Sequence, residues 1–264
     1  MKNRQQAFYY LLSLGLILAV WKIVALILHS PVLPQPEAAF LATGRAIMTS
    51  DFWMHFADST YRVVISIVIS LAIAFPLGIA LGYNTKLDRI IAPVLFLTYP
   101  IPKIVFLPVV LVLFGLGDVS KIVLITLIIT YQLLIIIRDG VSNINKKHVE
   151  TIRSMGGGNS QVVFQVLIPA AFPAMFTALR LSAGTAITVL FIVETYATRT
   201  GLGYYIMNAW SKAAYDVMFA GIIGMSVLGI ILYAIFSSME KVICRWKMLE
   251  RIKTDITEVR PNFR

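Results

Sequence analysis

Apolar residues run through this chain in long blocks. A helix needs about 20 consecutive apolar residues to cross a bilayer core, and six blocks approach or exceed that length: roughly 8–28, 63–83, 90–116, 120–138, 172–196 and 217–238. Each predicts a membrane-spanning helix, so the fold class is all-α and polytopic. The first block follows Lys2 and Arg4, as the apolar part of a signal peptide would. It continues past Trp21 and Lys22 without a small-x-small cleavage site, and so reads as a retained span. The stem of Lys22 can carry its ammonium to the interface. Between the first two blocks, Pro31, Pro34 and Pro36 predict an extended start. Apolar positions 40, 41, 47, 48, 53 and 54 then predict one or two short amphipathic helices lying on the outer membrane surface. This segment is too short to bury a core of its own.

Polar residues inside the blocks mark the places that need explanation. The third block reads IIAPVLFLTYPIPKIVFLPVVLVLFGLG, with Pro93, Pro100, Pro102 and Pro108 and with Lys103 near its middle. Each proline removes a backbone donor, and a cation at mid-depth faces protein or a water-filled cavity. Two structures fit: a kinked packing helix with Lys103 paired to a neighbour, or a broken helix lining a pathway. The fifth block carries Arg180 and Glu194, about 21 Å apart along a helix, which is too far to pair. They lie within about 40° in azimuth and share a face with Gly184 and Phe191, which predicts that the face looks into protein. Arg180 can snorkel or meet a backbone carbonyl, and Glu194 can pair with Arg199. Gly78 and Gly82, and Gly221, Gly224 and Gly229, predict close helix packing.

Composition agrees with a membrane protein. The chain is 58% hydrophobic and 14% charged, with mean hydropathy +0.82, whereas soluble domains are about 45–50% apolar and about 25% charged. The net charge of +10 does not point to nucleic acid, because the basic residues cluster between apolar blocks where topology explains them. With the N-terminus inside, inner segments hold 15 Lys and Arg: Lys2, Arg4, Lys86, Arg89, Arg138, Lys146, Lys147, Arg153 and seven from Lys241 onward. Outer segments hold five: Arg45, Arg62, Lys121, Arg199 and Lys212. This bias predicts that both termini are cytoplasmic. A single cysteine, Cys244, excludes an intrachain disulfide, and His29, His55 and His148 show no metal-ligand spacing.

The stretch ETIRSMGGGNSQVVFQVLIPAAFP at 150–173 therefore faces the cytoplasm. Asn143 or Asn145 can cap a helix, and Val149, Ile152 and Met155 give it one apolar side. Glu150 and Arg153 can pair on its polar side. Gly156-Gly157-Gly158 ends it. A second short helix follows, with Val162, Val163, Val166 and Leu167 on one face; Pro169 marks a break and Pro173 starts the next span. Two readings fit these residues, an amphipathic hairpin on the membrane surface and a docking element for a soluble partner.

Glu150, Gly156, Val166, Ile168 and Pro169 resemble the EAA signature of permease subunits of binding-protein-dependent ATP-binding-cassette (ABC) importers, roughly E-A-A-x3-G-x9-I-x-L-P. Thr151 and Ile152 replace the usual alanines, and Val166 and Ile168 are conservative changes. The resemblance covers nearly the whole chain. LPQPEAAF (33–40), DSTYRVVISIVISLAIAFPLGIALG (58–82), YPIPKIVFLPVVLVLFGLGDVSKI (99–122), ALRLSAG (178–184) and VETYATRTGLGYYI (193–206) look like the nitrate/sulfonate/taurine-type subgroup. It implies a type I ABC importer permease fold with six transmembrane helices and cytoplasmic coupling helices. It implies a homodimer in the inner or plasma membrane, two ABC ATPase subunits docked at the coupling loop 143–171, and an extracytoplasmic substrate-binding protein. ATP and Mg would be bound by the ATPase and no cofactor by this chain. The ATPase contact would fall on Glu150, Arg153, Met155, Gly156 and Pro169. Tyr99, Lys103 and Glu194 are pathway candidates. Implied solutes are sulfonates, taurine or nitrate, although the subgroup also takes in importers of uncharged or cationic vitamin and pyrimidine precursors. The organisation expected is an N-terminal span with an outer amphipathic segment (1–57), the permease domain (58–242) and a cytoplasmic basic tail (243–264).

The residues agree that ATP binds elsewhere. No G-x-x-x-x-G-K-[ST] loop exists: GLGDVSK (115–121) lacks the glycine–lysine pair, and GGGNSQ (156–161) has no lysine. No nucleophile–base pair or carboxylate dyad supports a membrane enzyme. An ion- or proton-coupled carrier using Lys103, Arg180 and Glu194 is the alternative transport reading.

Overall fold

A computed structural model describes residues 2–196 and 198–246, with side chains described from Phe8 onward except Tyr10. Most of the predicted basic tail, and the side chains of Lys2 and Arg4, lie outside the described residues. The elements are α1 (Lys2–Leu28), α2 (Pro36–Ile47), α3 (Ser50–Tyr83), α4 (Thr85–Thr98), a 3-10 turn (Lys103–Phe106), α5 (Leu107–Phe114), α6 (Asp118–Ser142), α7 (Lys146–Ser154), α8 (Asn159–Val162), a π-turn (Val163–Leu167), α9 (Ile168–Thr195), α10 (Leu202–Ser211) and α11 (Tyr215–Ile243). There is no strand among the described residues. Among the described residues, five helices are long and apolar enough to cross a membrane by themselves. The sixth expected span is the pair α4 and α5 with its 3-10 turn, bent by 81°.

Three boundaries differ from expectation: Pro173 does not start a span but lies inside α9, which already begins at Ile168. The predicted second amphipathic helix is the first part of α3, which runs unbroken from Ser50. Pro169 does not break the chain either. It sits at the second position of α9, directly after the π-turn. Proline has no N–H and crowds the carbonyl four residues back, here that of Gln165. The wider π-turn, in which the Ile168 N–H reaches the Val163 carbonyl, accommodates that demand.

Contacts divide the chain into two compact units. One gathers the described residues up to Tyr61 with Phe191–Val227; the other gathers Arg62–Leu190 with the described residues from Leu228 on. In the second unit, α3 meets α6 through every fourth residue. Arg62, Ser66, Ser70, Ala74, Gly78 and Gly82 form this row, and its first four members are buried. Ser66 donates to the Ile122 carbonyl (3.3 Å) and Ser70 to that of Thr126 (3.2 Å). A Cβ on Gly78 would come within 2.7 Å of Ile137, and one on Gly82 within 2.6 Å of Val141. Both helices advance together along these contacts, so they run parallel. The large apolar residues Ile69, Ile73 and Leu77 point outward instead. Lipid is as apolar as leucine, so close backbone approach and interhelical hydrogen bonds take over the role that hydrophobic burial has in water.

Two cations counted as outer-loop charges belong to this core. Arg62 is 2% exposed and its Nε and Nη2 each hold Asp118 at 2.7 Å. Lys121 is 1% exposed and donates to the carbonyls of Leu116 (2.6 Å) and Gly117 (3.0 Å). Asp118 stands in the first turn of α6, where a carboxylate complements the helix dipole. Arg180, expected to snorkel or meet a carbonyl, instead pairs with Glu240 of α11. The face it shares with Gly184 is open at that glycine.

In the first unit, α2 begins with Pro36 at its first position and carries Glu37 in its first turn, both favoured there. Glu37 binds Lys22 of α1 at 2.5 Å, a contact that tends to lower the carboxyl's pKa. The small residues Ala39, Ala42 and Ala46 are buried, while Phe40, Leu41, Ile47, Met48, Trp53 and Met54 are exposed, as a segment lying against lipid requires.

Candidate functional site: the coupling segment and the broken span

Local chemistry builds the segment 145–169 from two opposed signals. The Asn145 side chain accepts the Lys147 N–H (3.0 Å), capping α7. At the other end the chain makes a complete Schellman turn. The Gly156 N–H reaches the Arg153 carbonyl and the Gly157 N–H reaches that of Ile152, both at 2.9 Å. Gly156 has φ +83, which a side chain would strain. Gly157 has no room for one, because a Cβ would lie 2.5 Å from Ile152. The Gln161 Oε1 accepts the Gly158 N–H (2.8 Å), reaching back to start α8.

Val149 and Ile152 are half-buried, and Val162 and Leu167 are buried, on the faces the spacing predicts. Met155 departs from that pattern at 80% exposure. It is the C-cap, and its backbone (φ −84, ψ 9) leaves the helical face there. Phe164, which the periodicity passed over, is 68% exposed in the π-turn nine residues further on. Its signal was an aromatic on the otherwise polar side of the second short helix. Arg153 does not take Glu150 as its partner; its Nη2 donates to the Tyr83 hydroxyl at the end of α3 (2.9 Å). Glu150 is exposed, with no ion pair among the described residues. Glu150 and Arg153 line a cavity of about 640 Å³ with the α3–α4 turn. Pro169, with His148 and Trp246, lines a separate cleft of about 320 Å³.

The broken span is explained by its prolines. Pro102 cannot donate to the Thr98 carbonyl. The ammonium of Lys103 fills that place at 3.2 Å, reaches the Ile101 carbonyl at 3.4 Å, and lies 3.9 Å from the centre of the Tyr131 ring. Tyr131 of α6 bonds the Thr98 hydroxyl (2.7 Å) and donates to the Leu95 carbonyl. Both expected features therefore coexist: the helix is broken, and Lys103 is held by neighbours. These neighbours are neutral, and no carboxylate pairs with Lys103 among the described residues. Tyr99 is exposed at the break. Sequence reasoning missed Tyr131, whose only signal was a phenol in an aliphatic run.

Glu194, expected as a pathway group or as a partner of Arg199, instead closes a clasp in the first unit. It is 0% exposed. Its oxygens accept from the Ser59 hydroxyl (2.9 and 2.8 Å) and from the Gly203 N–H (2.9 Å). Ser59 in turn accepts the Leu202 N–H (2.7 Å), and His55 Nδ1 accepts the Gly201 N–H (3.1 Å). Three side chains thus cap the amino end of α10, which replaces solvation of its free donors.

Comparison with known proteins agrees with this architecture. The family described as "Binding-protein-dependent transport system inner membrane component" matches residues 72–243. The taurine transport system permease protein TauC of Escherichia coli (strain K12) is 29% identical over 241 residues, covering 89% of this chain and 88% of that protein. The formylaminopyrimidine transport permease protein ThiX of Halalkalibacterium halodurans is 24% identical over 248 residues, covering 94% and 99%. Among solved structures, an inward-facing MetNI methionine ABC transporter shares the fold. Its TM-score is 0.62 at 21% identity, covering 74% of this chain and 99% of that one. The relatives are transport subunits, which sets aside both the ion-coupled carrier and the membrane enzyme. On the match over 72–243, the chain belongs to the binding-protein-dependent transport system inner membrane component family, as the permease subunit of an ABC importer.

Proposed function

We propose that this permease works as a homodimer, with an ABC ATPase subunit docked on the coupling segment of each copy and both termini in the cytoplasm. ATP and Mg are bound by the ATPases. An extracytoplasmic binding protein delivers a small oxyanion solute of the sulfonate or taurine type. ATP-driven closure of the ATPases moves α7 and α8 as a rigid body, and the spans switch between two packed arrangements. Glu150, Arg153, Met155, Gly156 and Phe164 form the contact, and Pro169 fixes the entry into α9. The observation that carries this reading is the two exposed apolar side chains of the segment, Met155 at the rigid glycine turn and Phe164 in the π-turn beyond it. Exposed apolar groups ringed by polar ones mark a protein interface. Lys103, uncompensated by any carboxylate among the described residues, suits an anionic solute, and Tyr99 stands beside it. The similarity to TauC supports the same solute class.

The test is reconstitution. The chain coexpressed with its ATPase and binding protein imports a radiolabelled sulfonate, and the ATPase copurifies with it. Gly156→Asp abolishes that uptake while the chain still inserts. Full uptake by a normally inserted mutant overturns the assignment of the turn.

A further inference from the structure

The cavity beneath α7 has a charge pattern that ATPase docking does not call for. Its rim carries Lys86, Lys146 and Arg153, against Asp88 and Glu150. Asp88 is already neutralised, since both its oxygens are held by Arg138, one of them at 2.7 Å. The hydrogen-bond partner of Arg153 is the uncharged Tyr83 hydroxyl. Glu150 therefore faces three cations, and positive charge is in excess.

The backbone adds to it. The amino ends of α4 and α7 both lie at this cavity, at Asn84–Lys86 and at Lys146; Asn84 and Asn145 already cap their N–H groups, so the helices add only the residual partial positive charge of their dipoles. The lining also has an apolar wall: Ile144 and Val149 are half-buried on it, over a floor of Leu81, Val141 and Leu167 that the protein already buries. Two spans finish at this level, α3 at Tyr83 and α6 at Ser142. The cavity thus joins a cationic rim to an apolar wall where the hydrocarbon region gives way to headgroups.

We propose that this cavity binds the phosphate headgroup of an anionic phospholipid. Lys86, Lys146 and Arg153 hold the phosphate oxygens through charge-assisted hydrogen bonds, and the lipid's glycerol and upper acyl region cover the apolar wall. Basic pockets at the ends of membrane helices are where such headgroups bind. A free phosphate ester could use the same cations but would leave the wall uncovered. The lipid rests against Glu150 and Arg153, and so ties α7 to the leaflet beside it. Only the naming of that leaflet as cytoplasmic depends on the orientation proposed above.

The test is lipid retention by the full-length permease in detergent, measured by native mass spectrometry with dioleoylphosphatidylglycerol, dioleoylphosphatidylcholine or glycerol 3-phosphate. Phosphatidylglycerol should bind more tightly than phosphatidylcholine and resist displacement by equimolar glycerol 3-phosphate. The double substitution Lys86→Gln, Lys146→Gln should weaken phosphatidylglycerol binding roughly 10- to 30-fold, at about a factor of five per lysine, and leave phosphatidylcholine unchanged. Equal retention of phosphatidylglycerol by parent and double mutant overturns the proposal. So does displacement by glycerol 3-phosphate, which assigns the site to free phosphate esters. A failure of the ATPase to copurify overturns the docking reading instead and leaves this measurement unaffected.

Discussion

The coupling segment and the broken span both interrupt helices with glycine or proline, yet they treat their side chains in opposite ways. At 145–169 the backbone is satisfied locally: the Schellman turn uses backbone groups, and the Asn145 and Gln161 amides serve the starts of α7 and α8. Met155, Phe164 and Glu150 are left facing outward. At 98–106 Pro102 brings no donor to the Thr98 carbonyl and the Lys103 ammonium takes that place, while Tyr131 braces the end of α4 through Leu95 and Thr98. A segment whose backbone is self-sufficient can offer its side chains to a partner. One whose backbone lacks donors commits polar side chains such as Lys103 and Tyr131 to structural duty first.

The sharpest way to break this contrast is Phe164→Asp. Phe164 is 68% exposed, so removing it costs this chain little packing. The docked ATPase would meet a buried unpaired carboxylate, a loss of several kcal/mol. Uptake should fall at least about 100-fold and the ATPase should no longer copurify, with the melting temperature of the permease alone unchanged. If that melting temperature drops with the activity, the coupling segment is as structurally committed as the broken span.

How much of each region the sequence revealed follows from the same contrast. The spans were legible because a 20-residue apolar run has few alternatives. The coupling helices were legible because capping and glycine turns are local signals. The row on α3 was only partly seen. Gly78 and Gly82 stand out as packing residues, but Arg62, Ser66, Ser70 and Ala74 complete the same four-residue step. Serine and arginine look like surface residues to a reader calibrated on water. Arg62 and Lys121 fall to the outer segments in the charge count; the burial of Arg62 is invisible there because its partner Asp118 lies 56 residues away, whereas Lys121 is held by the nearby carbonyls of Leu116 and Gly117. The clasp of Glu194 by Ser59 joins positions 135 apart, a separation that no periodicity encodes. The break at Pro100 and Pro102 is one of the two outcomes the prolines allow; Tyr131, which braces the end of α4 beside it, is a tertiary fact.

Two substitutions at the break separate structure from transport. Tyr131→Phe keeps the ring under the Lys103 ammonium and removes the hydroxyl that serves Leu95 and Thr98. Interhelical hydrogen bonds in membranes are worth about 0.6 kcal/mol, and at most about 1.7, so thermal unfolding should show a loss in that range with solute preference unchanged. Lys103→Met removes the cation and leaves the Thr98 carbonyl without that donor. Anion uptake should fall roughly 10-fold, beyond what Lys103→Arg causes, if about 1.4 kcal/mol of solute attraction is lost. Unchanged anion uptake in Lys103→Met would show that the ammonium serves the backbone alone.

The mildest test returns to the coupling segment. Asn145→Ala deletes the side-chain acceptor of the Lys147 N–H, and caps of this kind contribute about 1 kcal/mol. The N-terminus of α7 is exposed, so water can partly solvate the freed donor, and the loss should appear as local fraying. Hydrogen exchange in Lys146–Val149 should speed up about fivefold while the span α6 keeps its protection. Uptake should drop no more than about twofold, because the Schellman turn at Gly156 and Gly157 still fixes the other end of α7. A large loss of uptake with unchanged exchange would mean that Asn145 contacts the ATPase directly, and the segment's backbone would then not be the self-sufficient scaffold that sets it apart from the broken span.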